Sequence, residues 1–259
     1  MRKSHRIIGL VALCVGMLVP AAAASASQYV ALGDSYSSGV GTRVFYESSG
    51  SCKRGPEAYP VKVASQKGYS LNFEACSGGK TTDVNEKQLG NLNSSTALVT
   101  ITIGGNDVGF SHVIIECAVY YFWCGEEIEA ADRKIANELP GKLETTYKDI
   151  RAKATTAHVI VLGYPHLFTK EGKTCNGNFL TSGNEKKMNE SADKLDAVIK
   201  GRAEYHGFTY VDPRAAFEPH AVCSSEEWLN GQSNPLEESY HPNVKGHVQF
   251  TKEVEAHLP

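Results

Sequence analysis

The sequence predicts a three-layer α/β fold with a mostly parallel central sheet. Five apolar, β-branched runs alternate with helical patterns along the chain, an order that is typical of a parallel sheet covered by helices. Two of these runs, LVTITI and HVIVL, are almost continuously apolar, as strands buried on both faces are. The predicted strands are Tyr29–Leu32, Leu71–Glu74, Leu98–Ile103, His158–Leu162 and Phe208–Val211.

Apolar residues at helical spacing mark three further stretches. The first runs from Ile128 to Ile150, and Pro140-Gly141 predicts a break within it because proline cannot continue the helical hydrogen bonding. The second covers residues 188–199, and the third follows Pro242. The predicted caps of the second helix are Ser182 or Asn184 at its start and Gly207 after its end.

Residues 1–26 have the features of a cleaved secretory signal peptide. Three basic residues precede the apolar run IIGLVALCVGMLVP, which is too short to span a bilayer, and an A-S-A cleavage site follows it. A lipoprotein anchor at Cys14 is the alternative. Bulky Leu13 disfavours that anchor, because processing requires a small residue at its position.

The remaining residues, 27–259, are predicted to form one domain, with no internal repeat or linker. Loss of three basic residues with the signal leaves 23 basic against 29 acidic residues, a net charge of −6. Such a charge disfavours a nucleic acid or anionic membrane as a partner. No second apolar run reaches transmembrane length, so we expect no stable membrane anchor. With the signal peptide, the chain is expected to be a secreted, extracellular protein, and we expect a monomer.

Six cysteines remain once Cys14 is removed, and an even number in an exported chain indicates disulfides. Six cysteines allow about 15 pairings, among which pairing of nearest neighbours is the simplest. A metal site is disfavoured because the sequence has no C-x-x-C and no His-x-x-x-His near a cysteine. The six are Cys52, Cys76, Cys117, Cys124, Cys175 and Cys223.

Polar clusters follow three of the predicted strands, and a fourth precedes the last helix. The carboxyl ends of parallel strands lie at one edge of a sheet, so the first three clusters should converge there. In chain order the clusters are Gly33-Asp34-Ser35, Cys76-Ser77-Gly78-Gly79, Gly104-Gly105-Asn106-Asp107 and Ser239-Tyr240-His241-Pro242.

These clusters contain the groups that acyl transfer requires. The Ser35 hydroxyl becomes a nucleophile when a base removes its proton, and histidine is the usual base near neutral pH. His241 lies in a loop beside a proline, unlike His247, which falls on a predicted helix as a surface or packing residue. The Ser35 and Gly78 N–H groups and the Asn106 amide would stabilise the oxyanion. No metal or organic cofactor is required.

The four clusters occur in the order of the signature blocks of the SGNH/GDSL hydrolases, and the sequence most resembles that family's secreted bacterial lipases and phospholipases A1. The resemblance implies an αβα sandwich and three disulfides paired between nearest neighbours. It further implies that Ser35 is the nucleophile, His241 the general base, and Gly78 and Asn106 the oxyanion donors.

Two positions depart from the family pattern. Many members have Asp three residues before the histidine, where this chain has Glu238. Secreted relatives are thought to use instead a backbone carbonyl two residues before it, which maps to Ser239. We favour the Ser239 carbonyl, with the Glu238 side chain as the alternative. Lys80 follows adjacent glycines, and of these we assign Gly78 rather than Gly79 as the donor.

Other residues near the clusters have simpler interpretations. Asp34 is expected to bind backbone N–H groups at its turn, and Asp107 to cap a helix. The aromatic residues 120–123 are expected either to pack beneath their loop or to contact an acyl chain or lipid surface.

The sequence therefore predicts a secreted serine carboxylic-ester hydrolase whose substrate is a lipid or small ester. A carbohydrate O-deacetylase on the same scaffold is one alternative, and a non-catalytic binding protein is another. An α/β-hydrolase is disfavoured because GDSYS lacks the last glycine of G-x-S-x-G.

Overall fold

Five parallel strands form the centre of the computed structural model, which describes residues 26–119, 124–172, 175 and 180–259. In the sheet, the strands lie in the order β2-β1-β3-β4-β5, and every pairing is parallel. The predicted strands are all present, with ends that differ by at most two residues. They are β1 (Gln28–Gly33), β2 (Ser70–Phe73), β3 (Thr96–Thr102), β4 (His158–Leu162) and β5 (Thr209–Val211).

Helices cover both faces of this sheet, which confirms the predicted fold class. Short 3-10 segments lie at Val40–Thr42, Glu47–Cys52, Leu89–Asn91, Glu218–His220 and Leu236–Glu238, and a π-helical turn at Val84–Gln88. The α-helices are α1 (Ser35–Ser38), α2 (Tyr59–Lys67), α3 (Thr81–Asp83), α4 (Phe110–Val119), α5 (Cys124–Asn137), α6 (Leu139–Lys153), α7 (Ser182–Tyr205), α8 (Arg214–Phe217) and α9 (Val244–Ala256).

The helix break predicted near Pro140 lies between α5 and α6. Pro140 is in the first turn of α6, where its missing N–H has no intrahelical partner to lose. The N-cap predicted for α7 is wrong. Thr181, rather than Ser182 or Asn184, caps the helix, and its side chain accepts a hydrogen bond from the Asn184 N–H at 3.2 Å.

The core lies on both faces of the central strands. The side chains of Tyr29, Leu32 and Ile101 are almost completely buried, as the apolar strand patterns predict. His247 is also buried, and its Nδ1 accepts a hydrogen bond from the Tyr59 N–H at 3.2 Å. Its role is therefore packing, one of the two that the sequence left open.

The disulfides join nearest neighbours, Cys52 with Cys76, Cys117 with Cys124 and Cys175 with Cys223. Within the described part of the chain, no helix has the length and apolar character needed to cross a bilayer. The predicted signal peptide, apart from its last residue, and the aromatic run at 120–123 lie outside the described residues.

Candidate active site

The polar clusters converge at the carboxyl edge of the sheet. Strand β1 lies between β2 and β3, so the segments that follow these three strands are neighbours. The segment after β1 must turn sharply against β3. Gly33 has a φ of 120°, and a Cβ there would lie 2.4 Å from the Thr102 carbonyl oxygen. Only glycine fits such a position without displacing backbone.

Ser35 is the first residue of helix α1, directly after this turn. Asp34 caps the helix, and its Oδ1 accepts a hydrogen bond from the Tyr36 N–H at 2.9 Å. The Ser35 N–H, at the start of a helix, has no intrahelical acceptor and is available to a ligand. The turn therefore presents both the hydroxyl and the N–H of Ser35 at the edge of the sheet.

His241 lies between Ser35 and a backbone carbonyl. Its Nε2 is 2.7 Å from the Ser35 Oγ, and its Nδ1 is 2.8 Å from the Ser239 carbonyl oxygen. Tyr240, between the two, has a φ of 58°, a left-handed conformation that is uncommon for residues other than glycine. Its carbonyl accepts a hydrogen bond from the Tyr36 hydroxyl at 2.6 Å, which fixes the turn that carries His241.

The surroundings of His241 keep its imidazole neutral. Burial lowers the pKa of His241 from 6.5 to about 4, although the hydrogen bond to the Ser239 carbonyl acts in the opposite direction. A neutral imidazole that donates from Nδ1 has its Nε2 lone pair free to accept the Ser35 proton. The arrangement is that of a base poised against a hydroxyl.

Glu238, the alternative partner for His241, is engaged elsewhere. Its Oε2 forms an ion pair with the Arg43 Nε at 3.1 Å, and Arg43 also donates to the Ser233 Oγ at 2.8 Å. The Glu238 carbonyl accepts a hydrogen bond from the Asn230 side chain at 3.2 Å. Glu238 therefore anchors the segment that precedes Ser239, and the Ser239 carbonyl contacts the histidine.

Replacement of Glu238 by glutamine is expected to lower kcat by less than about tenfold, because an ion pair to a half-exposed arginine contributes little. Loss of an acid that orients the catalytic histidine would cost about four orders of magnitude. The measurement is kcat on p-nitrophenyl butyrate. Glu237→Gln is the control, because Glu237 lies in the same turn as Glu238 and also forms an ion pair, with Lys53. A thousandfold loss confined to the Glu238 variant would assign the orienting role to its side chain.

The predicted oxyanion donors come from two loops that line the same cavity as Ser35. Gly78 has a φ of 75° and lines the same cavity as Ser35, His241 and Asn106. The adjacent Gly79 N–H donates to the Cys76 carbonyl at 3.0 Å, so that group is already occupied. Of the two glycines, Gly78 thus has the available N–H.

The Asn106 side chain is held on both sides. Its Nδ2 donates to the Gly79 carbonyl at 3.0 Å, and its Oδ1 accepts from the Ser111 hydroxyl at 3.2 Å. The amide has two hydrogens, so one contact to Gly79 leaves the second hydrogen for a ligand in the cavity.

A different acidic residue ties these two loops together. Asp107, predicted to cap a helix of its own segment, instead accepts hydrogen bonds from the N–H and hydroxyl of Thr81, at 3.0 and 2.6 Å. It therefore caps α3 across the sheet edge and fixes the loop of Gly78 against that of Asn106. Because Thr81 and Asp107 are both buried, the two hydrogen bonds between them form a rigid link.

Tyr164 is a site residue that the sequence analysis missed. Its hydroxyl donates to the Asp34 Oδ2 at 2.5 Å and accepts from the Gly105 N–H at 3.0 Å. Burial raises the pKa of Asp34 to about 7, and the hydrogen bond from Tyr164 partly counteracts this. The available signal was its position, because Gly163-Tyr164-Pro165 follows β4 as the other clusters follow their strands.

An apolar cavity of about 280 Å³ opens from the Ser35–His241 pair. It extends toward the β3 and β4 side of the sheet, between α4, α7 and the segment that follows β4. Pockets of this kind bury apolar ligands and orient them by a few polar groups at one end. Its apolar walls include Phe110, Ile114, Ile115, Leu167, Leu195 and Leu236.

Comparisons with known proteins agree with this geometry. The model of the GDSL-like lipase/acylhydrolase family matches residues 31–249. Lipase 1 of Streptomyces coelicolor is 42% identical over 257 residues, which span 94% of this chain and 95% of that protein. The fold and these matches define a carboxylic ester hydrolase. The chain belongs to the GDSL-like lipase/acylhydrolase family.

Two crystal structures are similar over most of the chain. Phospholipase A1 from Streptomyces albidoflavus NA297 has a TM-score of 0.85 and 44% identity, covering 89% of this chain and 99% of that one. An extracellular lipase from Streptomyces rimosus also has a TM-score of 0.85, at 42% identity and the same coverage.

Proposed function

We propose that this protein is a secreted esterase that cleaves lipid esters through an acyl-enzyme on Ser35. The observation that carries the proposal is the 2.7 Å contact between the Ser35 Oγ and the His241 Nε2 at one end of an apolar cavity. Relatives named lipase and phospholipase A1 support a lipid substrate, and the extracellular relative and three disulfides support secretion.

The steps follow from the placement of the groups. His241 Nε2 removes the Ser35 proton while the Oγ attacks the ester carbonyl, and the negative charge moves to the carbonyl oxygen. The Ser35 and Gly78 N–H groups and the Asn106 amide stabilise that oxygen. When the C–O bond breaks, the imidazolium returns its proton to the alcohol. Water, activated by the same histidine, then releases the acid and regenerates Ser35.

The Ser239 carbonyl takes the place of a triad acid in this scheme. It accepts the Nδ1 hydrogen, so Nε2 is the unprotonated nitrogen and faces Ser35. When the imidazolium forms during attack, its positive charge lies against the carbonyl dipole, which gives a weaker stabilisation than a carboxylate would.

The test is a rate profile over p-nitrophenyl esters from acetate to laurate, together with phosphatidylcholine, on the wild type and Ser35→Ala. We expect higher kcat/KM for medium or long acyl chains than for acetate, because each buried CH₂ contributes about 0.8 kcal/mol. A marked preference for acetate would favour a carbohydrate O-deacetylase. No Ser35-dependent hydrolysis of any ester would favour a binding protein.

Activity is expected to persist in acid. The base must be neutral to accept a proton, so kcat/KM rises with pH through the pKa of His241, which burial lowers to about 4. The ascending limb of the profile should therefore lie near pH 4, well below the ordinary histidine value of 6.5. The measurement is kcat/KM from pH 3 to 8, with circular dichroism at each pH to exclude unfolding. A limb at pH 6.5 or above would contradict the expectation.

A further inference from the structure

A second cavity, of about 300 Å³, lies on the other side of the Gly78 loop. Ser77 and Gly78 line both cavities, so the two are neighbours at the loop that carries the proposed oxyanion donor. The remaining walls of the second cavity come from residues 52–54 and 74–88, on the β2 side of the sheet. Because β1 lies between β2 and β3, the two cavities extend from the Gly78 loop toward opposite edges of the sheet.

The second cavity contains a cation without an anionic partner among the described residues. The partly buried Arg54 donates one hydrogen bond, from Nη1 to the Ala75 carbonyl at 3.4 Å. Among the described residues it makes no ion pair, so most of its N–H groups point to no protein acceptor. A guanidinium has five such donors in a planar fork, a geometry that matches phosphate.

A carboxylate in the same cavity also lacks a counterion. The Glu74 Oε1 accepts a hydrogen bond from the Asn91 side chain at 2.6 Å, and within the described residues no lysine, arginine or histidine pairs with it. The other two charges of the cavity neutralise each other, since Lys87 binds Asp83 at 2.7 Å. The cavity thus offers one unpaired positive and one unpaired negative group.

We propose that this second cavity binds a zwitterionic phospholipid headgroup, with Arg54 on the phosphate and Glu74 on the ammonium group. The inference rests on the proposed function and names its substrate class. An ester carbonyl at Gly78 would direct its acyl chain into the apolar cavity and its alcohol portion into the second one. In a glycerophospholipid the alcohol portion carries the phosphate on the same glycerol, within a few bonds of the ester.

The experiment compares two substrates with the same acyl chain. These are dihexanoyl phosphatidylcholine, kept below its micellar concentration, and p-nitrophenyl hexanoate, which has no headgroup. We expect Arg54→Gln to lower kcat/KM on the phospholipid by about tenfold to a hundredfold, the effect of a lost charge-assisted hydrogen bond. Its rate on p-nitrophenyl hexanoate should stay within twofold. Lys252→Gln, which removes an equal charge from an exposed position of α9, should change neither rate.

Glu74→Gln tests the second half of the site. It should lower the rate on dihexanoyl phosphatidylcholine and leave dihexanoyl phosphatidylglycerol unchanged, because the glycerol headgroup has no cation. Arg54→Gln should lower the rates on both phospholipids, since both carry the phosphate. Arg54→Lys keeps the charge and loses the planar guanidinium, so its rates on both should lie between those of the wild type and Arg54→Gln.

Several outcomes would overturn the inference. If Arg54→Gln lowered kcat/KM equally on the phospholipid and the p-nitrophenyl ester, Arg54 would only support the structure of its loop. If it lowered kcat/KM on neither, Arg54 would not contact the substrate. A wild type that cleaves the p-nitrophenyl ester but not the phospholipid would also refute the headgroup site while the esterase remains. A wild type without Ser35-dependent hydrolysis of either substrate would instead refute the proposed function.

A binding measurement separates a lipid headgroup from a simple anion. Glycerophosphocholine should bind the inactive Ser35→Ala protein, and the binding should be lost in Ser35→Ala combined with Arg54→Gln. Inorganic phosphate shares the anionic group and lacks the ammonium. Equal affinity for inorganic phosphate and glycerophosphocholine would overturn the headgroup assignment.

Discussion

Replacement of Ser35 by alanine is expected to lower kcat by about six orders of magnitude, the effect that removal of a catalytic serine has in a comparable acyl-transfer site. The Ser35 Oγ is the one hydroxyl that lies within 3 Å of the His241 Nε2, at 2.7 Å, among the contacts of the described residues. Alanine keeps the N–H of position 35 and the helix α1 that carries it. The variant therefore loses the proposed nucleophile and retains one proposed oxyanion donor.

Removal of His241 should cost nearly as much, because a serine hydroxyl without its base is a weak nucleophile at neutral pH. The sharper expectation concerns the double variant. If the two side chains act as one unit, Ser35→Ala combined with His241→Ala should be no slower than Ser35→Ala alone. Additive losses would show that His241 acts on a different step.

The measurement is kcat on p-nitrophenyl butyrate for the wild type, both single variants and the double variant. His247→Ala would be a poor control, because His247 is buried in the core and its loss would affect stability. His158→Ala is a better one, since this histidine lies at the start of β4, at the opposite end of the strand from the site, and is partly exposed. It should retain wild-type kcat.

Much of the site could be predicted because its residues lie in local patterns. Glycine and small polar residues directly after apolar strands mark sharp turns at the sheet edge, and this information is contained in a few consecutive residues. Local patterns of this kind predict the clusters of Ser35, Gly78 and Asn106. The assignment of His241 depends on its loop position and on the family resemblance, because no local pattern indicates a contact between residues 206 positions apart.

The partners that stabilise the site were less predictable for the same reason. Asp34 is a turn residue in sequence, yet its second oxygen binds Tyr164, 130 positions away. Asp107 binds Thr81 across the sheet edge and does not cap the helix that follows it in sequence. Glu238 has the chemistry of a triad acid, and only the three-dimensional position of Arg43 diverts it. Local sequence specifies what a side chain can do, and tertiary contacts decide with which partner.

Replacement of Asn106 by alanine is expected to lower kcat by about a hundredfold to a thousandfold, with little change in KM. An oxyanion donor acts on charge that develops only in the transition state, so its loss affects the chemical step more than substrate binding. The Asn106 amide also holds the Gly79 carbonyl at 3.0 Å, in the same loop as the Gly78 N–H. Its removal loosens a second donor, and we therefore expect the upper part of this range.

Two matched variants separate the donor from its support. Asn106→Asp keeps the shape and removes the N–H groups, so it should be at least as slow as Asn106→Ala. Ser111→Ala removes the 3.2 Å contact that orients the amide and leaves the donor itself in place, so it should lose less than about tenfold. The measurements are kcat and KM on p-nitrophenyl butyrate and thermal unfolding. An Asn106→Ala protein with kcat within threefold of the wild type would leave Gly78 and Ser35 as the only donors, because a group that stabilises the oxyanion cannot be removed without slowing its formation.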